Sequence, residues 1–259
     1  MSAQKYYERV SDILSDIRNR EMPKIEEAGA LFAETIAAGR RVYLFGSGHS
    51  VIPVQDVFPR YGSFIGFFPL YDPRLMWHNV VGPGGARELL WIERQEGYIA
   101  NFLRSFAIEP GDCMLVFSHG GLNAAPIEAA LYARERGCRV VTVSSHANRR
   151  AAQATHSSGM QLPDAADIAI DNCVPPEDAQ VDIGRPEKVA AGSTMAAVFI
   201  AMALVAETGA RLAAMGFEPV TFVSPNVPGV RKDHNLRVFD VFTRKWHERT
   251  PPTVVRDDD

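Results

Sequence analysis

The residues of this chain that could do chemistry gather in short polar stretches, each of which follows or opens an apolar run. "VYLF" leads into Gly46-Ser47-Gly48-His49-Ser50. "CMLVF" leads into Ser118-His119-Gly120-Gly121-Leu122-Asn123, and "RVVTV" into Ser144-Ser145-His146-Ala147-Asn148. A further stretch, Gly192-Ser193-Thr194, opens a long apolar segment. Glycine lets a backbone approach closely, hydroxyls donate hydrogen bonds, and a helix start presents unpaired N–H groups and the positive end of its dipole. Such loops together make a cradle for an anionic oxygen group. A dinucleotide loop would read GxGxxG, but "GSGHSV" places Val51 where glycine or alanine is required, and no GK[ST] triplet of a Walker loop occurs. The pattern therefore points to the phosphate of a small molecule rather than to a nucleotide.

His49, His119 and His146 each follow a different apolar run. Three imidazoles brought together would hold zinc or another divalent ion with open positions. No helical HxxxH spacing accompanies them, and imidazole also donates to anions. The expectation is a site without a cofactor, with a His49, His119 and His146 metal site as the alternative.

Loops of this kind need a sheet to present them side by side. The apolar runs 41–45, 63–70, 113–118, 139–144 and 167–171 show little alternation, the mark of strands covered on both faces. Between 113–118 and 139–144 lies "NAAPIEAALYARERG", where Asn123 can cap a helix, Pro126 suits its first turn, and Gly137 closes it. Strand, helix and strand in about thirty residues make a right-handed βαβ unit and a parallel sheet. A long helix over 193–215 would cover one face. Upstream, Ile25, Ala28, Leu31, Phe32, Thr35 and Ile36 form one helical stripe, with Pro23 at its start and Gly39 past its end. The segments 173–187 and 223–233 read as loops. The expected organisation is a single α/β domain over 1–259, with N-terminal helices over 1–40, sheet and covering helices over 41–240, and a frayed tail over 250–259. In such a sheet ligands bind beyond the carboxyl ends of the strands, where the polar loops fall.

The chain has 259 residues, with 46% hydrophobic and 22% charged, as in ordinary globular proteins. A net charge of −4 gives no electrostatic reason to expect nucleic acid as a partner. Cys113, Cys138 and Cys173 form no CxxC pair, so neither a zinc ribbon nor a disulfide framework is expected. The first twenty residues are charged throughout, unlike a signal peptide. "MAAVFIAMALVA" (195–206) is shorter than the roughly 20 residues of a membrane span. A soluble, cytoplasmic protein without membrane association is expected.

At these loops the chain resembles the sugar isomerase (SIS) domain family, in particular small stand-alone bacterial members near the phosphoheptose isomerases. The likeness is carried by "FGSGHS", "FSHGGLNAAPIEAALYARERGCRVVTVSS", "ERQEGY", "HSSGMQLPDAADIAIDNC" and "SPNVPGVRKDHN". It implies a three-layer α/β/α sandwich with a five-stranded parallel sheet, and a homodimer or homotetramer with sites at subunit interfaces. It also implies an anionic sugar or sugar phosphate as ligand. By position, Ser47, Gly48, Ser50, Ser118, His119, Gly120, Gly121, Asn123, Ser144, Ser145, Ser193 and Thr194 would be the binding residues. Two departures stand out. The family's serine-x-serine-glycine loop here reads Ser118-His119-Gly120-Gly121, so the second hydroxyl is missing, and near relatives' acidic pair is here Gln55-Asp56.

Aldose–ketose isomerisation needs a base that reaches C1 and C2, and donors for the enediolate oxygens. Glu93 in "WIERQEGY" is the expected base, with Asp56 second. His49 would open the sugar ring or relay a proton, and His234 in "KDHN" would reach a neighbouring subunit's site if sites are shared. His78 is given no role. An aldose–ketose sugar-phosphate isomerase is the primary reading. A phosphosugar sensor without chemistry is the main rival, and a metal-dependent or lyase activity on a modified anionic sugar is the third.

Overall fold

The computed structural model describes residues 1–76 and 85–247; the expected tail and His78 lie outside them. Two helices, α1 (Ser2–Arg20) and α2 (Met22–Ala37), precede the sheet. Pro23 sits in the first turn of α2, and Gly39 just beyond its end has φ 73°, a left-handed conformation that glycine adopts without strain. The sheet strands are β1 (Val42–Gly46), β2 (Phe67–Pro69), β3 (Cys113–Phe117), β4 (Arg139–Ser144) and β5 (Ile168–Asp171). All pair in parallel in the order β2-β1-β3-β4-β5. The expected three-layer sandwich with a five-stranded parallel sheet and N-terminal helices is the fold observed.

Both faces of the sheet are covered. On one side Val42, Leu44, Leu115, Phe117, Val141 and Val143 pack with Ile25 and Phe32 of α2 and with Ile200 and Leu204 of α8 (Ser193–Ala214). On the other, Tyr43, Phe45, Met114, Val116 and Val140 meet residues of α4 (Gly85–Ile92), α5 (Tyr98–Leu103) and α6 (Ala124–Glu135). This double burial is why the strands read as apolar runs without a wet side.

Register aligns the loops. Gly46 lies opposite Phe117, Phe117 opposite Val143, and Ser144 opposite Asp171. The four strands therefore release their chains along one edge. Strand order reverses direction between β1 and β3, so the loops after those two strands flank the crevice where ligands of open α/β sheets bind.

Several expectations need correction. The second strand is shorter than 63–70, because Gly66 at φ 146° breaks the extended run before Phe67. The stretch 173–187 is not only loop, since β6 (Ala179–Val181) pairs antiparallel with β7 (Val189–Ala191). The long helix expected over 193–215 is present as α8, whose 22 residues by length and composition could cross a membrane. Here it lies in the helical layer, with Ala196, Ile200, Leu204, Thr208 and Leu212 buried as one i,i+4 stripe and α2 and α3 (Val51–Val57) against it. An unanticipated helix, α9 (His234–His247), follows the loop over 223–233. Phe242 and Trp246 on it stack against Phe68.

Candidate functional site

The glycines after β1 have distinct reasons to be there. A Cβ on Gly46 would lie 2.1 Å from the carbonyl oxygen of Ser50, because the chain folds straight back over the strand end. Gly48 has φ 59°. The return is closed by the Ser50 N–H donating to the Ser47 carbonyl at 3.1 Å, and α3 begins at once.

That turn presents Ser47 to Glu93. The Ser47 hydroxyl donates to Glu93 Oε2 at 3.0 Å. The Glu93 carbonyl accepts from the Ala125 N–H at 2.9 Å in the first turn of α6. Asn123 does occupy the capping position expected of it, but its side chain makes no cap bond to the helix. Glu93 is 6% exposed, and this burial pushes its carboxyl pKa above the ordinary 4.5 against the opposing pull of Ser47, Arg94 and Asn123.

The loop after β3 is braced at each residue. The Ser118 hydroxyl accepts from the Gly121 N–H at 3.2 Å, and Gly121 has φ 64°. The carbonyl of His119 accepts from the Ser145 N–H, and that of Gly120 from the Asn148 amide at 2.7 Å. His119 Nδ1 lies 3.2 Å from the Asn172 amide nitrogen.

Between these loops and the start of α8 is a small pocket lined by His49, Ser50, Ser118, His119, Asn172, Ser193 and Thr194, with Phe117, Val143 and Ala197 as its apolar part. Among the described residues no carboxylate lines it. Hydroxyls, imidazoles and an amide without a competing negative charge are the groups an anion needs.

Of the residues expected from sequence, the cavity wall brings together His49, Ser50, Ser118, His119, Ser193 and Thr194. Ser47 and Glu93 form a hydrogen-bonded pair, and neither they nor Asn123 are part of that wall. Others are engaged elsewhere. Ser193 was expected to donate to the ligand, but its hydroxyl donates to Asp178 Oδ2 at 2.7 Å, and Asp178 Oδ1 accepts the N–H groups of Gly192 and Ser193. A carboxylate from the β6 approach thus already satisfies the start of α8. The Ser145 hydroxyl donates to the Val174 carbonyl at 2.6 Å and caps α7 (His146–Ala151), while the buried Ser144 hydroxyl has no partner. Asp56 pairs with Arg60 one turn along and borders a different cleft, beside Tyr61 and Asn235. His234 Nε2 is 2.9 Å from the Thr221 carbonyl.

The three histidines do not converge. His49 and His119 line the cavity, whereas His146 sits over Asp171, to which its N–H donates, and burial holds its pKa below 6.5. Among the described residues no group of three or more His, Cys, Asp or Glu is placed to hold a metal ion. The sequence reading also missed Asn172 and Asp178. Asn172 follows β5, a strand end on this edge whose polar residues were not weighed.

A parallel sheet with hydroxyl-bearing loops at its switch point defines a class, and comparison with known families agrees with it. The SIS domain model matches residues 5–145, and the chain belongs to that family. Its relatives include a UPF0309 protein of Halalkalibacterium halodurans, 30% identical over 93% of this chain and 96% of that one. Another, from Brucella canis, is 36% identical over 87% of this chain and 90% of that one. Among solved structures, the phosphoheptose isomerase of Neisseria gonorrhoeae superposes with a TM-score of 0.55 over 80% of this chain and 97% of that one. At 15% identity that likeness speaks for the shared fold alone.

Proposed function

We propose that this SIS-domain protein binds a sugar phosphate between the loops after β1 and β3 and interconverts its aldose and ketose forms. The observation that carries the reading is that Ser47, in the loop whose His49 and Ser50 line a hydroxyl- and imidazole-bearing cavity, donates to the buried carboxyl group of Glu93, whose pKa is raised. Ser50, Ser118 and the loop N–H groups supply donors for the phosphate. Glu93, as carboxylate, would take the proton from C2 of the open-chain aldose while the C1 carbonyl oxygen gains one. Returning the proton to C1, as the C2 hydroxyl loses its own, completes the ketose. A carboxyl pKa raised towards neutrality suits a group that must accept and return one proton in each turnover. His49, at the cavity wall, is placed to open the ring.

The placement of Asp56 favours a second reading. With that carboxylate paired to Arg60, and Glu93 held by Ser47, no carboxylate among the described residues lines the cavity to serve as the base, as befits a sensor. A thermal-shift panel of aldose and ketose phosphates, the matching free sugars and sulfonated sugars tests the binding claim. A ligand at 100 times its dissociation constant stabilises by about 2.7 kcal/mol, or roughly 5–10 °C in a domain of this size. Stabilisation by one aldose–ketose phosphate pair, with interconversion of that pair, supports the isomerase. Stabilisation without interconversion supports the sensor, and no stabilisation by any phosphate refutes both.

A further inference from the structure

His119 and Asn172 meet at the cavity wall, and the orientation of the amide decides the chemistry of the ring. Asn172 is 2% exposed and fixed on both sides. Its Oδ1 accepts from the Val174 N–H at 3.0 Å, and its backbone N–H donates to the Ser144 carbonyl at 2.9 Å. Oδ1 being committed, it is Nδ2 that stands 3.2 Å from His119 Nδ1. An amide nitrogen donates and cannot accept, so Nδ1 is the acceptor. The neutral ring then carries its single proton on Nε2. Nε2 is buried and has no hydrogen-bond partner among the described residues.

A buried donor without an acceptor is unfavourable and uncommon, and here it belongs to a ring at the wall of the candidate site. Metal-bound histidines show the opposite pattern, with the second nitrogen donating its proton to a carboxylate or carbonyl. Asn172 gives His119 a donor to face, so Nε2 holds a proton where a metal ligand would need a lone pair.

We propose that Asn172 is a positioning residue that locks His119 as the Nε2–H tautomer, making the ring a hydrogen-bond donor to an anionic oxygen of the bound ligand. The identity of that acceptor rests on the sugar-phosphate reading above; the tautomer does not.

The test uses the full-length protein with 15N-labelled histidine and long-range 1H–15N correlation spectra, the His119 signals being assigned by their loss in His119→Gln. In the ligand-free wild type His119 should be the Nε2–H tautomer. Asn172→Leu, of similar size but without a donor, should shift it towards a mixture. Added inorganic phosphate should move the Nε2–H signals, and zinc should not. In binding assays His119→Gln, whose amide nitrogen replaces Nε2–H, should keep phosphate affinity within about threefold, whereas His119→Phe should lose about tenfold or more. The Phe and Gln pair keeps the question answerable if Asn172→Leu does not fold. A wild-type ring protonated on Nδ1, or zinc shifts at His119, would overturn the proposal. An Nε2–H ring in a protein that binds no phosphate overturns the donor role together with the function proposed above. An Nδ1–H ring in a protein that does bind phosphate overturns the role of Asn172 alone.

Discussion

Gly120→Ser restores a hydroxyl at the point where this chain departs from its family's phosphate loop, and the structure allows its effect to be worked out. Gly120 carries no left-handed φ, and an added Cβ would meet only the Asn148 amide, at 3.9 Å, an ordinary van der Waals contact. The backbone is already held by the Asn148 bond to the Gly120 carbonyl. The substitution therefore adds a donor to a braced loop without strain. A hydrogen bond to a neutral group contributes about 0.5–1.5 kcal/mol, and one to a charged group about 1.5–3 kcal/mol. At the meeting point of those ranges, about 1.5 kcal/mol, the dissociation constant of a phosphorylated ligand should fall about tenfold. Titration calorimetry with a sugar phosphate and with the same sugar lacking phosphate separates the contributions. Gly121→Ser is the control, because Gly121 sits at φ 64° with Leu162 and Ser144 carbon atoms 3.5 Å from an added Cβ, so that variant should lose stability. Unchanged phosphate affinity in Gly120→Ser, or an equal gain for the unphosphorylated sugar, would refute the placement of phosphate at this loop.

Other substitutions probe stability. Glu93 has a pKa above 4.5, so the folded chain binds more protons there than the unfolded chain; the resulting penalty is absent below about 4.5 and complete above the native value. Glu93→Gln should consequently raise Tm at pH 7 while abolishing turnover, and the gain should vanish near pH 4; a gain independent of pH would contradict this. His146 runs the other way. Its lowered pKa means that the unfolded chain takes up the proton first, so stability is lost as pH falls below 6.5. His146→Gln should flatten the Tm profile below pH 6.5, as scanning calorimetry would record. Gly46→Ala forces a Cβ onto the Ser50 carbonyl and should cost about 3 kcal/mol, a Tm decrease of roughly 6–12 °C; an unchanged Tm would show that the loop can open.

What the sequence made legible follows from what each feature depends on. The strands were readable because burial on both faces removes polar residues from them, and the loops because glycine and serine at the end of an apolar run have few other uses. Gly46 and Gly48 answer to backbone geometry, which is local. Asp178 at the start of α8 and Asn172 beside His119 depend on contacts across distant parts of the chain, and the one sign the sequence held was the place of Asn172 just past an apolar run. Arg60, four residues on, offered Asp56 an i,i+4 partner, and the structure forms that ion pair. The stripe Val238, Phe242 and Trp246 likewise marked α9, but the charged residues between them masked its period.

The most direct measurement is proton NMR of deuterium uptake at C2 from D2O, run with a panel of aldose and ketose phosphates on wild type and Glu93→Gln. Wild type should exchange C2 hydrogen and interconvert one pair, whereas Glu93→Gln should bind that pair without exchange. Binding by wild type with no exchange for any pair would contradict the isomerase account and leave a phosphosugar-binding module.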